Sequence, residues 1–175
     1  MEHNEKGEAI WLSPRRNTTM PILRKLQGYL DEHKIKYQVL THSTAYTAQE
    51  IAQAQHIPGK QMAKVVMVKK ENGTPVMLVL PASHQVNFAW LREVLHSRAE
   101  LEQEREFRDL FPGCETGAEP PFGNFFDLDT IVDTALTKDE EIVFNAGSHW
   151  QTVKMRYDDY ARLVHPRIAK FAEHV

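Results

Sequence analysis

The sequence lacks the features that mark secreted, membrane-spanning or disulfide-stabilised proteins. Its 175 residues include one cysteine, Cys114, which excludes an internal disulfide framework and favours a reducing compartment. No apolar run approaches the ~20 residues of a membrane-spanning helix, and the N-terminus lacks the basic-then-apolar order of a signal peptide. These absences predict a cytoplasmic protein that has no membrane partner.

Several catalytic and ligand-binding motifs are also missing. The chain has no Gly-x-Gly-x-x-Gly after a strand, no Walker loop and no Gly-x-Ser-x-Gly elbow. It has no His-Glu-x-x-His pair, and one cysteine cannot form a thiolate zinc site, so we expect neither a metal nor a cofactor. Cys114 lies beside Glu115, whose carboxylate raises a thiol pKa, and this disfavours Cys114 as a nucleophile.

Positive charge is not in excess either, because the formal net charge is −3, which argues against a large nucleic-acid footprint. The charge is unevenly divided, however. Residues 1–80 contain 11 Lys and Arg against 7 Asp and Glu, whereas residues 81–175 contain 10 against 17. The basic first half could contact a few phosphates, but charge alone favours an ordinary solvated surface.

Hydrophobic periodicity predicts one α+β domain after a polar extension. Residues 1–19 show no apolar period and are interpreted as a flexible extension, and residues 20–175 as a single folded domain. Helices mixed with hairpins predict a mixed, mostly antiparallel sheet with helices packed around it. The predicted helices cover about 22–30, 47–57, 87–96, 101–110, 158–164 and 166–172, and the predicted strands 37–40, 63–68, 76–80, 130–132, 141–145 and 150–156.

Local signals mark some of these boundaries. Thr47-Ala48-Gln49-Glu50 is a capping box, which predicts a helix start. Asn72-Gly73 predicts the turn of the first hairpin, and Pro166 suits a first helical turn. The run Val76 to Leu80 is apolar on both faces, so we expect that strand inside the sheet.

The stretch from Gly117 to Asn124 contains two adjacent prolines between glycines. The prolines fix two φ angles and remove two backbone donors, while the glycines permit close approach to the main chain. The stretch is therefore either one wall of a binding site built largely from backbone, or a stiff connector before a strand.

Two further side chains have both a structural and a functional interpretation. Lys64 interrupts an apolar strand, where it is either on the solvent face of an edge strand or a cation at a pocket mouth. His149 is either a structural turn residue of the second hairpin or, with the polar run before it, a donor to a ligand.

These pieces together resemble the YbaK family of aminoacyl-tRNA deacylases, the free-standing relatives of the editing domain of bacterial prolyl-tRNA synthetases. The resemblance runs from about Met20 to Ala172. It rests on four segments in this order: His42-Ser43 with Thr47-Ala48-Gln49-Glu50, then Ala63-Lys64, then Gly117 to Gly123, and then Asn145 to His149.

The resemblance implies a mixed sheet that is curled toward a barrel, no cofactor, and hydrolysis of the ester in mischarged aminoacyl-tRNA. It implies that Lys64 holds the substrate's backbone or phosphate and that His149 positions the substrate. It also implies that the Gly-x-x-Pro loop at Gly117 lines the amino-acid pocket and points N–H groups at the reacting carbonyl. The substrate-binding residues it implies are His42, Thr47, Ala118, Glu119, Pro120, Pro121, Phe122, Gly123, Gly147 and Ser148.

An aminoacyl ester is already activated, so oriented water and the ribose 2′-hydroxyl can replace a serine or cysteine nucleophile. One departure concerns Val65, because relatives that clear alanine or cysteine tend to carry a small polar residue after the lysine. Two alternatives remain: a weakly catalytic module that binds a tRNA acceptor end or a synthetase, and a hydrolase of small esters or amides, against which the basic first half argues.

Overall fold

The structure, a computed structural model, describes residues 22–41 and 47–175 together with the backbone of two short N-terminal strands. Strands β1 (Glu2–His3) and β2 (Ala9–Ile10) pair antiparallel. The rest of the predicted extension, residues 1–19, lies outside the described residues, so its flexibility stays a prediction.

The described body of the chain alternates helices with strands. The α-helices are α1 (Ile22–Glu32), α2 (Ala48–Ala54), α3 (Phe88–Leu95), α4 (Glu104–Phe107) and α5 (Tyr157–Val164). The strands are β3 (Tyr37–Thr41), β4 (Met62–Lys70), β5 (Pro75–Pro81), β6 (His84–Val86), β7 (Ala99–Leu101), β8 (Asp129–Asp133), β9 (Glu141–Ser148), β10 (Gln151–Arg156), β11 (Arg167–Ala169) and β12 (Ala172–His174).

The main sheet has eight strands in the order β11-β8-β5-β4-β9-β10-β3, with β7 pairing to the far end of β4. The pairs β11–β8, β5–β8 and β4–β9 are parallel. The pairs β4–β5, β4–β7, β9–β10 and β10–β3 are antiparallel. A separate two-stranded ladder joins β6 to β12. The predicted α+β fold with a mixed, mostly antiparallel sheet is confirmed.

Both faces of the sheet are covered, and β4 divides its side chains between them. Ala63 and Val65 pack into the cluster that holds Phe122 and Phe144, against α1 and α5. Val66 belongs to the opposite cluster, which includes α3. The residues of β5 from Val76 to Leu80 are at most 1% exposed, because β5 lies between β4 and β8. The prediction of an interior strand is confirmed.

The local boundary signals act as predicted. The N–H of Glu50 donates to Thr47 Oγ1 over 3.1 Å and the N–H of Thr47 donates to Glu50 Oε2 over 3.0 Å, which completes the capping box of α2. The first hairpin turns at Gly73, whose φ of +85° is a conformation that favours glycine. Both signals work because they satisfy backbone groups within a few residues.

One predicted helix is wrong, and a second is shorter than predicted. The segment 166–172 holds β11 and β12, because His165 ends α5 in the left-handed conformation and the chain then pairs along β8 and β6. The predicted helix 101–110 shrinks to α4 and one 3₁₀ turn, since Leu101 completes β7. In both segments the apolar spacing is too short to give a helix a face that it could bury. Pairing with distant strands therefore decides the local structure.

One buried carboxylate, which no sequence pattern predicted, holds the C-terminal segment by hydrogen bonds. Asp133, at the end of β8, is 1% exposed. Its Oδ1 accepts the N–H of Ala135 and its Oδ2 accepts the N–H groups of Phe171 and Ala172, each over 2.8 Å. Asp133 thus joins the residue pair that follows β8 to the start of β12 and satisfies backbone donors in both segments.

Replacing Asp133 by alanine should strongly destabilise the fold, because two buried N–H groups and one partly buried N–H group lose their acceptor. We expect Asp133→Ala to lower the free energy of unfolding by about 3 kcal/mol or more. Urea denaturation followed by circular dichroism measures this loss. Asp129→Ala, at an exposed position of the same strand, is the matched control and should change stability by no more than about 0.5 kcal/mol. Equal stability of the two variants would contradict this role of Asp133.

Candidate functional site

The proline-containing loop is joined to the end of β9 by a reciprocal pair of backbone hydrogen bonds. The N–H of Gly147 donates to the carbonyl of Ala118 over 2.9 Å, and the N–H of Glu115 donates to the carbonyl of Gly147 over 2.8 Å. Ala118 is fully buried. We call the loop 115–119 and the segment 147–149, taken together, the loop–turn unit.

His149 closes this unit from the side of the hairpin turn. Its N–H donates to Glu115 Oε2 over 3.2 Å, and its ring Nε2 lies 2.8 Å from the carbonyl of Thr116. Because a carbonyl can only accept, this contact assigns the ring proton to Nε2. Gly117 lies against the ring with φ +87°, and a Cβ at this position would be 3.4 Å from His149 Cε1. The structure therefore brings Gly117 and His149 together, and a side chain at position 117 would project at the ring.

Glu119 places a buried carboxyl group in the same unit. The residue is 5% exposed, and its Oε1 accepts the N–H of Gly117 over 2.9 Å. Burial raises the pKa of Glu119, while the Gly117 N–H and the nearby His149 oppose the rise. The Ala118 N–H donates to the carbonyl of Glu115 over 3.0 Å. The N–H groups of Gly117 and Ala118 are thus both used in hydrogen bonds inside the loop.

The second half of the loop is anchored in the core. Tyr160 donates its hydroxyl to the carbonyl of Pro121 over 2.7 Å, and the ring of Phe122 packs 5.5 Å from that of Phe144. A Cβ at Gly123 would overlap Thr130 Oγ1. Pro120, Pro121, Phe122 and Gly123 are all buried, so they support the loop from behind.

Lys64 lies on an interior strand, since β4 pairs with both β5 and β9, and the interpretation as a solvent-facing edge residue is wrong. Its side chain is half-buried, and burial lowers the pKa of the ammonium group. Strand alternation points it to the face opposite Val65. Among the described residues, no hydrogen bond or ion pair joins Lys64 to the loop–turn unit.

Asn145 lies between Lys64 and that unit, and the site prediction did not include it. Met62 and Ala63 pair with Val143 and Phe144 in the parallel β4–β9 ladder, and Lys64 and Asn145 directly follow them. Asn145 is also two residues before Gly147 on β9. The sequence placed Asn145 in a polar run, but only strand pairing sets it beside Lys64.

Four further residues were predicted to bind the substrate, and they differ in where they lie. Thr47 caps α2, whereas His42 lies outside the described residues. A Cβ at Gly147 would overlap Ile22 Cγ2, so glycine there allows the close approach of α1. Ser148 follows on β9, and its buried Oγ contacts no hydrogen-bond partner within the described ranges.

Two negative findings apply to the described part of the chain. Its His, Cys, Asp and Glu side chains form no group of three or more that could hold a metal ion. None of its helices is both long and apolar enough to cross a membrane.

Comparison with known proteins gives a family and a set of relatives. Residues 42–163 match the model of the aminoacyl-tRNA editing domain. The multifunctional Ser/Thr-tRNA deacylase ProXp-y of Escherichia coli K12 is 29% identical over 153 residues, which cover 85% of this chain and 91% of that protein.

Two solved structures share the fold. A protein described as a candidate trans-editing enzyme for prolyl tRNA synthetase superposes with a TM-score of 0.74 at 22% identity, covering 89% of this chain and 99% of that one. A crystal structure of a hypothetical protein superposes with a TM-score of 0.77 at 17% identity, covering 85% and 99%. At these sequence identities the two structures show only that the fold is shared.

The thiol of Cys114 should be unreactive in the folded protein. Burial, followed by the charge of Glu119, raises the pKa of Cys114 to about 12, so almost no thiolate exists near neutral pH. We expect iodoacetamide at about pH 8 to alkylate the native protein roughly a thousandfold more slowly than the urea-unfolded chain. Mass spectrometry of timed samples measures both rates, and native alkylation as fast as that of the unfolded chain would contradict the shift.

Proposed function

The chain belongs to the aminoacyl-tRNA editing domain family, and on that basis we propose that it hydrolyses the ester of mischarged aminoacyl-tRNA. The matched residues 42–163 include Lys64, the proline-containing loop and His149. The observation that carries the proposal is the loop–turn unit, in which backbone hydrogen bonds and the His149–Thr116 contact fix one rigid edge.

In the proposed reaction the aminoacyl ester lies along this edge. Water adds to the ester carbonyl carbon, and the tetrahedral intermediate collapses by breaking the bond to the ribose oxygen. That oxygen takes a proton, which leaves a free amino acid and an uncharged tRNA. The neighbouring ribose 2′-hydroxyl assists, so the protein supplies orientation rather than a nucleophile.

We assign Gly117 a role that differs from that of an oxyanion donor. Its N–H already donates to Glu119, whose carboxylate thereby holds the loop conformation. Gly117 contributes by having no side chain, so that nothing at position 117 projects between the substrate and His149 Cε1. His149, fixed by Thr116 and Glu115, orients the ester there.

Lys64 would bind the phosphate or ribose of the terminal adenosine. Its half-buried ammonium forms no ion pair within the described residues, so a phosphate would supply the missing counter-charge. The partner is therefore the acceptor end of an aminoacyl-tRNA, with an aminoacyl-tRNA synthetase as a second candidate partner.

Serine and threonine are the first amino acids to test, because the curated relative is a Ser/Thr-tRNA deacylase. Val65 packs into the core cluster around Phe122. It therefore gives no polar contact to a substrate side chain, and selectivity would have to come from other residues.

Removing the Lys64 charge should remove most activity. We expect Lys64→Ala to lower kcat/KM on mischarged tRNA by about 10- to 100-fold, because a charge-assisted contact to the substrate is lost. The assay uses substoichiometric protein and tRNAs charged with serine, threonine, alanine or cysteine. Lys70→Ala, on the same strand, is the control and should retain activity.

The same assay separates the enzyme from a binding module. Clearance of many equivalents of charged tRNA by the unaltered protein indicates catalysis, whereas binding without turnover indicates a module. Full activity of Lys64→Ala at unchanged thermal stability would exclude the proposed role of the lysine.

A bulky side chain at position 117 should block the site. Both Gly117 and Gly73 have positive φ, at +87° and +85°, so valine at either position strains the backbone by roughly 1–2 kcal/mol. Only at position 117 would the side chain meet His149, since Gly73 faces open space. We expect Gly117→Val to abolish deacylation and Gly73→Val to retain it at a similar melting temperature. Equal activities would refute this placement of the substrate.

A further inference from the structure

A group of buried polar side chains with unused hydrogen-bonding atoms lies under the end of α2. Asn145 is 9% exposed, and its Oδ1 has no hydrogen-bond partner among the described residues. A buried carbonyl oxygen left without a donor destabilises a fold, because the oxygen has lost its hydrogen bonds to water. Such an atom on an interior strand points to a ligand that supplies the donor.

Gln55, at the C-terminal end of α2, offers the complementary atom. Thr152 is fully buried and donates its hydroxyl to Gln55 Oε1 over 3.1 Å, which holds the amide group in place. The other amide atom, Nε2, is a buried donor that contacts no partner in the described part of the chain. Thr152 stands directly opposite Asn145 in the β9–β10 ladder. Cβ atoms of directly opposed residues are about 4.5–5.5 Å apart, so the free acceptor and the Thr152-bound amide are neighbours.

The chemistry of this pair selects a ligand class. A hydroxyl donates one hydrogen bond and accepts others, so it can satisfy Asn145 Oδ1 and Gln55 Nε2 together. A carboxylate or phosphate only accepts, and an ammonium group only donates, so each would leave one of the two atoms unpaired. We propose that Asn145 and Gln55, with Thr152 as the positioning residue, form a subsite that binds a hydroxyl group of the substrate.

This hydroxyl subsite rests on the proposed function and lies within reach of the proposed ester position. Asn145 is two residues from Gly147, a distance of about 7 Å along a strand. An aminoacyl-adenosine carries hydroxyls in two places near its ester: on the side chain of serine or threonine, and at the 2′ position of the ribose. Both sources offer the same chemistry to the subsite.

The test is isothermal titration with stable substrate analogues, which does not depend on turnover. The probes are 3′-serylamino-3′-deoxyadenosine, its alanyl counterpart without the side-chain hydroxyl, and the 2′-deoxy form of each. The seryl and alanyl probes differ only in the side-chain hydroxyl, so the ratio of their Kd values measures what that hydroxyl contributes to binding. The ratio of Kd values between each probe and its 2′-deoxy form measures the contribution of the ribose 2′-hydroxyl. The variants are Asn145→Leu and Gln55→Leu, and Gln53→Leu, exposed on the same helix, is the matched control.

In one of the two ratios, we expect the unaltered protein and the control to bind the hydroxyl-bearing probe with a Kd about tenfold lower or more. A site that hydrogen-bonds a hydroxyl binds a ligand without that hydroxyl more weakly, because its own polar groups are then left unpaired. Asn145→Leu and Gln55→Leu should bring that ratio close to one. Loss of the seryl-to-alanyl preference assigns the side chain as the source, and loss of the 2′ preference assigns the ribose.

Other outcomes overturn the subsite. Unchanged ratios in folded Asn145→Leu, or no preference in the unaltered protein, would exclude hydroxyl recognition by these residues. If Asn145→Leu does not fold, Gln55→Leu decides by the same ratios, since Gln55 is at a helix end and only partly buried. Deacylation measured in parallel keeps the two proposals apart, because turnover with unchanged ratios would leave the proposed function standing and remove only the subsite.

Discussion

The parallel pairing of β4 with β9 is the contact on which the rest of the structure depends. It spans two residue pairs, Met62 with Val143 and Ala63 with Phe144. This short ladder joins the hairpin of β4 and β5 to the hairpin of β9 and β10, and so makes one sheet from two local units. It also sets Lys64 next to Asn145, although 80 positions of chain separate them. Without it, the cation and the loop–turn unit would belong to separate hairpins.

The loop–turn unit is rigid because polar groups, rather than apolar packing alone, hold it. Glu119 is buried where the carboxylate form is disfavoured, and it keeps a hydrogen bond to the N–H of Gly117. A raised carboxyl pKa stabilises the fold fully below the ordinary glutamate pKa. That contribution is lost as the pH rises through the interval up to the raised value. Burial of Glu119 thus lowers stability near neutral pH, as is common where a site rather than the core determines the residue.

The two faces of β4 have different roles in the site. Val65 faces the aromatic cluster that supports the loop from behind, and Lys64 lies on the opposite face of the strand. Asn145 and Gln55 each have a buried polar atom that forms no hydrogen bond within the described residues. The same strand therefore supports the wall of the site with one face and offers the Lys64 charge with the other.

The sequence by itself determined the features that depend on neighbours in the chain. The capping box at Thr47 and the turn at Gly73 could be predicted because each satisfies its backbone locally. The burial of β5 could be predicted because its residues are apolar on both faces. The α+β class followed from the mixture of helical and strand patterns, and the family resemblance followed from four motif segments between His42 and His149. Only the tertiary structure decided what depends on distant pairing: the strands that replace the predicted helix 166–172, the engagement of the Gly117 N–H by Glu119, and the position of Asn145 beside Lys64. Sheet pairing and burial join residues far apart in the chain, and no local pattern in the sequence records which partners they will meet.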